Sequence, residues 1–117
     1  MSEPNNKLFI ARFNKNLNTE KSDGLTMYSC REYDYTKIPI GQKSIILESN
    51  TKQPKYKTAI LKSVTRVDYN SEHDNRLNEQ GKKRYKDKMV WKFCFEFVNF
   101  NVTITDNMKY VQYPRLV

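Results

Sequence analysis

The segment from Met89 to Phe100 (MVWKFCFEFVNF) constrains the fold of this chain more than any other part of the sequence. Large apolar side chains occupy alternate positions along most of it. Successive side chains of a β-strand point to opposite faces of a sheet, so this period of two predicts a strand with one buried face. We expect one face to carry Met89, Trp91, Phe93, Phe95 and Phe97, and the other Val90, Lys92, Cys94 and Glu96.

The apolar positions change parity after Phe97 and become Val98, Phe100, Val102 and Ile104. One inserted residue exchanges the two faces of a strand. We therefore expect a bulge or a sheet corner near Asn99, with the strand region continuing to Ile104.

Further apolar, β-forming stretches are separated by segments rich in Asn, Ser, Asp, Lys, Gly or Pro. Ile38 to Gly41 reads as a turn, because Pro fixes one φ angle and Gly accepts a positive one. The pair of strands around residues 49–54 predicts a hairpin. The predicted strands are 7–13, 25–35, 43–48, 56–69 and 108–113, in addition to the aromatic segment.

This strand content predicts a mainly β (α+β) fold. Closure of many short strands into a barrel removes exposed sheet edges. We expect a small closed or partly open β-barrel of five to seven strands, with at most one or two short helices. The 117 residues suit one domain spanning 1–117, with residues 1–6 disordered and 70–87 forming an exposed basic loop.

The two cysteines and the first residues of the chain predict the cellular compartment of the protein. Cys30 and Cys94 lie in apolar stretches without metal-ligand spacing, so we interpret them as buried thiols rather than a disulfide. The first residues are polar and include Glu3, unlike a signal peptide, and no apolar run is long enough to cross a membrane. We expect a cytoplasmic protein, in the host cytoplasm if it is viral, without membrane attachment.

The net positive charge of the chain favours a polyanionic partner. The chain has 21 Lys and Arg against 13 Asp and Glu, a net charge of +8. Such a field attracts nucleic acid, although many small proteins are basic for solubility alone. A dense basic run leads into the aromatic strand, where cations can neutralise backbone phosphates. The candidate phosphate contacts are Lys82, Lys83, Arg84, Lys86 and Lys88.

Tyrosines cluster near the end of a predicted strand, next to an arginine. Phenol rings can stack on bases while their hydroxyl groups donate and accept hydrogen bonds. The alternative is an amphipathic strand end whose tyrosine rings cover the core. Trp91 has the same alternative, in which its ring belongs to the core and does not stack on a base. The candidate base or ligand pocket comprises Tyr28, Ser29, Arg31, Tyr33, Tyr35 and Trp91.

The sequence carries no recognisable catalytic or metal signature. His73 is the single histidine and lies in the polar loop, and three glycines cannot form the common nucleotide-binding motifs. Glu32 and Asp34 share one face of the predicted strand, as a metal site or an acid–base pair requires, but exposed carboxylates beside Arg31 and Lys37 are usually solvated. We predict a protein that is not an enzyme and has no metal or cofactor.

The order of elements resembles the PUA-like superfamily, specifically small barrels of the EVE and ASCH type, over about residues 8–67. The resemblance is carried by the opening apolar strand with Phe9, by S-C-R-E-Y at 29–33, by I-P-I-G-Q-K at 38–43 and by K-T-A-I-L-K-S-V at 57–64. It implies binding of RNA or of modified bases in DNA or RNA, with Ser29, Arg31 and Tyr33 near the pocket mouth. The family usually has Asp where this chain has Gln42.

The leading hypothesis is a non-enzymatic nucleic-acid-binding module with a basic face and aromatic contacts to RNA or DNA, to a modified or unpaired base. An alternative is a small inhibitor or adaptor, of viral or phage origin, that docks on an acidic protein through the same face. A second alternative is a metal-independent ribonuclease that uses Tyr, Lys and Arg. The oligomeric state is left open.

Overall fold

A computed structural model describes residues 7–13, 24–48, 55–72, 83–111 and 113–117. Two short helical segments occur among them, a turn at 83–85 and a helix at Asp106–Lys109, together with 3-10 turns at Tyr35–Lys37 and Tyr69–Ser71. The six strands are β1 (Phe9–Phe13), β2 (Gly24–Ser29), β3 (Lys43–Glu48), β4 (Tyr56–Asp68), β5 (Met89–Phe97) and β6 (Arg115–Leu116).

The six strands form one mixed sheet in the order β2-β5-β4-β3-β1-β6. β1 and β3 run parallel, and every other neighbouring pair is antiparallel. Within the described residues, β2 and β6 each pair with one strand, so the sheet is not closed into a barrel. The mainly β fold and the predicted number of strands are confirmed. The prediction of a closed barrel is wrong, because the sheet remains open.

The sheet is strongly curved around the ring of Phe9. Two strands, β3 and β4, separate β1 from β5, which corresponds to about 14 Å across a flat sheet. Yet the Phe9 ring on β1 lies 5.5 Å from Phe93 and 6.1 Å from Phe95 on β5, measured between ring centroids. The sheet therefore wraps its inner face around an aromatic core, to which Leu25, Met27, Tyr35, Ile38, Ile46, Leu61 and Trp91 also belong.

β5 has the alternation that its sequence predicts. Trp91, Phe93 and Phe95 are buried in the inner core, and Glu96 faces solvent. Met89, at the start of the strand, is 50% exposed and lies outside that core. The face assignment from the sequence is therefore confirmed for the middle of β5 and does not hold at its first residue.

The change of parity after Phe97 has a different cause from the predicted bulge. Residues 98–105 form no strand, so the predicted extension to Ile104 is wrong. The chain leaves the sheet there and covers its outer face instead, where a second apolar cluster forms. The bulge in this sheet lies in β4, between Leu61 and Ser63. The outer cluster contains Ile10, Ile45, Leu47 and Val111, with Leu8, Val102, Ile104 and Met108 packed against it.

The remaining strand predictions differ mainly at their ends. β3 matches its prediction, and its antiparallel pairing with β4 confirms the hairpin. The predicted turn is also present, with Gly41 at a φ of 90°. The predicted strand at 108–113 is wrong, because the chain forms the helix Asp106–Lys109 there and pairs with β1 only at Arg115–Leu116.

The predicted strand at 25–35 ends at Ser29, before a turn that its own side chains stabilise. Asp34 accepts a hydrogen bond from the Thr36 N–H at 3.1 Å and another from the Thr36 hydroxyl group. These bonds cap the 3-10 turn Tyr35–Lys37 and fold the chain back towards the core. Residues 1–6 lie outside the described ranges. No helix within those ranges combines the length and the apolar character that a bilayer crossing requires.

Candidate functional site

The two ends of the curved sheet are joined by contacts between the segment that follows β2 and the segment that precedes β6. The Tyr35 hydroxyl group donates a hydrogen bond to the Pro114 carbonyl oxygen at 2.7 Å. The Arg31 guanidinium lies 5.2 Å from the centre of the Tyr113 ring. We call this junction the seam. Side chains and loops therefore bring the two edges together where strand pairing does not.

A ladder of three tyrosines brings the basic segment at 83–88 to the seam. The Tyr28 ring on β2 meets Tyr69 edge to face at 5.6 Å, and Tyr69 meets Tyr85 in the same way at 5.4 Å. The Tyr28 hydroxyl group donates to the Glu72 carboxylate at 3.1 Å, and the Lys92 ammonium lies 2.7 Å from the same oxygen. Aromatic packing and a half-buried ion pair thus hold β2, β5 and the basic segment in one position.

The base of this segment is also fixed by backbone and side-chain hydrogen bonds. Asn70 donates to the Asp87 carboxylate at 2.6 Å, and the Asp87 N–H donates to the Asn70 side-chain oxygen at 3.0 Å. The Tyr69 N–H donates to the Lys88 carbonyl oxygen at 3.0 Å. Asp87 has a φ of 60°, which Asp adopts more readily than most residues. The cationic side chains therefore project from an anchored backbone.

These contacts surround a cleft of about 640 Å³ at the seam. Its volume falls in the range of about 300–1,000 Å³ that small-molecule sites occupy. Four cationic side chains and one carboxylate contribute to its wall, together with three tyrosines. The lining residues are Arg12, Met27, Tyr28, Ser29, Cys30, Arg31, Glu32, Arg84, Tyr85, Lys88, Tyr113 and Pro114.

The positive charge of the cleft is not neutralised by the carboxylates of the described chain. Arg31, Arg84 and Lys88 are exposed and form no ion pair with a described residue. The Arg12 side chain donates to the Val111 carbonyl oxygen, which fixes its guanidinium without cancelling its charge. An anion entering this cleft would therefore meet cations that form no ion pair with a carboxylate of the described residues.

Burial raises the pKa of two tyrosine hydroxyl groups near the cleft. It raises the pKa of Tyr35 to about 12, while a hydrogen bond with Ser29 and the charge of Arg31 act in the opposite direction. Burial also raises the pKa of Tyr85. At neutral pH these groups are hydrogen-bond donors and not bases. The hydrogen bond from the Thr36 hydroxyl group lowers the pKa of Asp34, consistent with its capping role.

The structure brings together residues from both candidate sets of the sequence analysis. Tyr28, Ser29 and Arg31 from the proposed base pocket line the same cleft as Arg84 and Lys88 from the proposed phosphate contacts. Arg31 and Arg84 are separated by more than fifty positions in the chain, and their meeting was not predicted.

Other predicted residues lie elsewhere. Lys83 and Lys86 are exposed on the same segment but do not line the cleft, and Lys82 lies outside the described residues. Tyr33 is 47% exposed and packs on Tyr35, with 4.9 Å between ring centres.

Tyr35 and Trp91 belong to the core. They are 0% and 9% exposed, and their rings meet edge to face at 5.7 Å. The Arg66 guanidinium lies 5.1 Å from the centre of the Trp91 ring. Neither ring is open to a base in this arrangement, which matches the alternative that both rings cover the core.

Sequence reasoning missed the cleft residues that come from the two ends of the described chain, among them Arg12 and Tyr113. Arg12 lies at the end of β1 and Tyr113 just before β6, and antiparallel pairing of β1 with β6 brings these regions together. β6 has two residues, too few for a periodic pattern to predict the pairing.

Both cysteines are free thiols and half-buried, Cys30 in the cleft wall and Cys94 on β5. Among the described residues, no three His, Cys, Asp or Glu side chains are grouped in a way that could hold a metal ion. The chain matches no protein-family model, and neither the curated proteins nor the solved structures include a match to it.

Proposed function

We propose that this protein is a non-enzymatic nucleic-acid-binding module whose binding site is the seam cleft. The observation that carries the proposal is the convergence of Arg12, Arg31, Arg84 and Lys88 with three tyrosines around one concave surface. Cations provide affinity for phosphates, and tyrosines provide stacking and hydrogen-bonding surfaces for bases.

The electrostatics of the whole chain support this ligand class. A net charge of +8 attracts polyanions over a distance, and the cations that line the cleft supply contacts at the end of that approach. The Arg guanidinium forms bidentate hydrogen bonds with phosphate oxygens, and stacking on Tyr113 orients that of Arg31.

The concave shape of the site favours an unpaired strand over a duplex. In a duplex the bases are stacked inside and only the phosphates and groove edges are accessible, whereas unpaired nucleotides enter pockets between aromatic and arginine side chains. Tyr113 is 38% exposed and Tyr85 is half-buried, so parts of both rings are accessible at the cleft. We propose single-stranded RNA or DNA as the ligand.

The resemblance to the PUA-like superfamily and the cytoplasmic location stay predictions. Neither is needed for the nucleic-acid proposal, which rests on the net charge of the chain and on the charge and geometry of the cleft.

The proposal is tested by fluorescence anisotropy with labelled twelve-nucleotide single-stranded RNA, single-stranded DNA and duplex DNA. If three or four cations each neutralise one phosphate, affinity for a single strand falls about 20- to 50-fold between 50 and 200 mM salt. Arg84→Gln and Lys88→Gln should each weaken binding and reduce the steepness of the salt dependence by about one phosphate contact.

Two lysines away from the cleft provide charge-matched controls. Lys62 lies in the bulge of β4, 3.4 Å from Glu96, and Lys109 lies 3.7 Å from Asp106 in the short helix. Lys62→Gln and Lys109→Gln should leave affinity near the wild-type value. Equal losses in all four variants would show that net charge alone, and not the cleft, determines binding.

Absence of binding to all three probes would contradict the proposed function. A stoichiometric acidic protein recovered from nuclease-treated lysate would then favour the adaptor alternative. Shortening of the RNA probe in the presence of a chelator would instead contradict the non-enzymatic part of the proposal.

A further inference from the structure

The cleft contains one feature that phosphate binding does not explain. Glu32 is exposed and lines the cleft beside the four cations. Within the described residues it forms no ion pair with any of them. A carboxylate in this position weakens the attraction for phosphate, so a favourable contact between Glu32 and a ligand requires a hydrogen-bond donor on another part of that ligand.

An ionised carboxylate accepts hydrogen bonds and cannot donate them. Its two oxygens form a fork that matches two parallel N–H donors, the arrangement seen with an Arg guanidinium. Among the common bases, guanine offers such a pair on its Watson–Crick edge, at N1–H and at the N2 amino group. Cytosine, adenine and uracil each present a donor beside an acceptor there, and that acceptor would face the second carboxylate oxygen.

We propose that the seam cleft is selective for an unpaired guanine, with Glu32 accepting hydrogen bonds from its N1–H and N2 amino group. The inference rests on the proposed function and names its preferred ligand. The neighbouring cations Arg31, Arg84 and Lys88 hold the flanking phosphates. Guanine must be unpaired because base pairing with cytosine occupies the edge that Glu32 reads.

The test uses RNA pentamers that carry guanine, inosine, cytosine or uracil between flanking uracils, measured by competition against a labelled single strand. Inosine lacks the N2 amino group of guanine and differs from it in no other way. Loss of one charge-assisted hydrogen bond predicts that the guanine pentamer binds about tenfold or more tightly than the inosine pentamer.

Glu32→Gln removes the charge and one matched acceptor. We expect the preference for guanine over inosine to fall close to one, while affinity for the uracil pentamer rises because a negative charge has left the cleft. These opposite changes would not arise from a general loss of structure. Asp106→Asn is the charge-matched control, at a carboxylate whose side chain is 86% exposed in the short helix, and it should preserve the preference.

The outcomes separate this inference from the proposed function. If the labelled single strand itself does not bind, the proposed function fails together with the inference. If that strand binds and no pentamer competes with it, the inference alone is overturned. If the pentamers bind with equal affinity, or if Glu32→Gln keeps the wild-type preference for guanine, the inference alone is overturned.

Discussion

Asn70 and Asp87 form a reciprocal pair of hydrogen bonds across the base of the basic segment, at 2.6 and 3.0 Å. The pair joins the end of β4 to the start of β5 and determines where the cations between them emerge. We predict that loss of this pair lets Arg84 sample positions away from the cleft.

Asn70→Ala tests this anchoring role. Because the pair is exposed, we expect a loss of only about 1 kcal/mol in the free energy of unfolding. Single-strand affinity should nevertheless fall several-fold, since ordering the segment on binding now costs conformational entropy. Asn101→Ala, at an exposed asparagine, should change neither quantity. Unchanged affinity in Asn70→Ala would show that the pair does not position the site.

The raised pKa of Tyr35 predicts how the free energy of unfolding changes at alkaline pH. The pKa is about 12 in the folded protein against 10.0 ordinarily, so the unfolded chain loses this proton first as pH rises. The contribution of Tyr35 to stability is therefore complete below pH 10 and is lost as pH rises towards 12.

Tyr35→Phe should flatten this alkaline loss while costing about 1 kcal/mol at pH 7, because the hydrogen bond to Pro114 is gone. Urea unfolding followed by Trp91 fluorescence at several pH values measures both effects. Tyr110→Phe, at a side chain 75% exposed, is the matched control and should keep the wild-type slope. An unchanged slope in Tyr35→Phe would argue against a buried, protonated Tyr35.

The sequence predicts the inner face of this fold better than its outer face. The alternation around Phe93 predicts a buried strand face, and Gly41 in the Ile38 to Gly41 stretch marks a turn. After Phe97, however, alternation continues in a segment that packs as an irregular chain. Periodicity records which side chains are buried, and it cannot distinguish a strand from an extended cover on the opposite face.

The cleft could be predicted in its parts but not as a whole. Tyr28 and Arg31 lie close together in the sequence and are predicted as one binding cluster. Arg84 and Lys88 are likewise predicted as another. The proximity of the two clusters depends on edge-to-face packing through Tyr69, a long-range contact that no local pattern reports. For the same reason, ring chemistry alone could not show that Tyr35 lies in the core.

Substitution of Val111 tests whether the segment after β5 packs against the outer face of the sheet. Val111 is 1% exposed and packs with the outer cluster, so Val111→Ala should lower the free energy of unfolding by about 2 kcal/mol through lost burial and a residual cavity. Val117→Ala makes the same chemical change at a side chain that is 36% exposed and should cost less than about 0.5 kcal/mol. Similar losses in the two variants, measured by urea unfolding, would contradict the packing described for residues 98–111.

Gly24 marks a close approach between β2 and β5. A Cβ atom built there would lie 2.5 Å from the Phe95 carbonyl oxygen, a distance that requires the backbone to shift. Gly24→Ala should therefore destabilise the protein by about 1–3 kcal/mol, as overpacking does elsewhere. Thr26→Ala, two residues along the same strand, should cost less. A wild-type melting temperature in Gly24→Ala would show that β2 is held less closely to β5.

The two cysteines report directly on whether a nucleic acid occupies the cleft, because one lines the cleft and the other does not. Cys30 is half-buried in the cleft wall, whereas Cys94 is half-buried on β5 near the Thr26 hydroxyl group. The measurement is the rate of alkylation of each thiol, followed by mass spectrometry with and without a single-stranded oligonucleotide at ten times its Kd. Occupancy of the cleft predicts about tenfold slower alkylation of Cys30 and an unchanged rate at Cys94. An oligonucleotide that binds and leaves the Cys30 rate unchanged, or slows both thiols equally, would contradict binding at the seam.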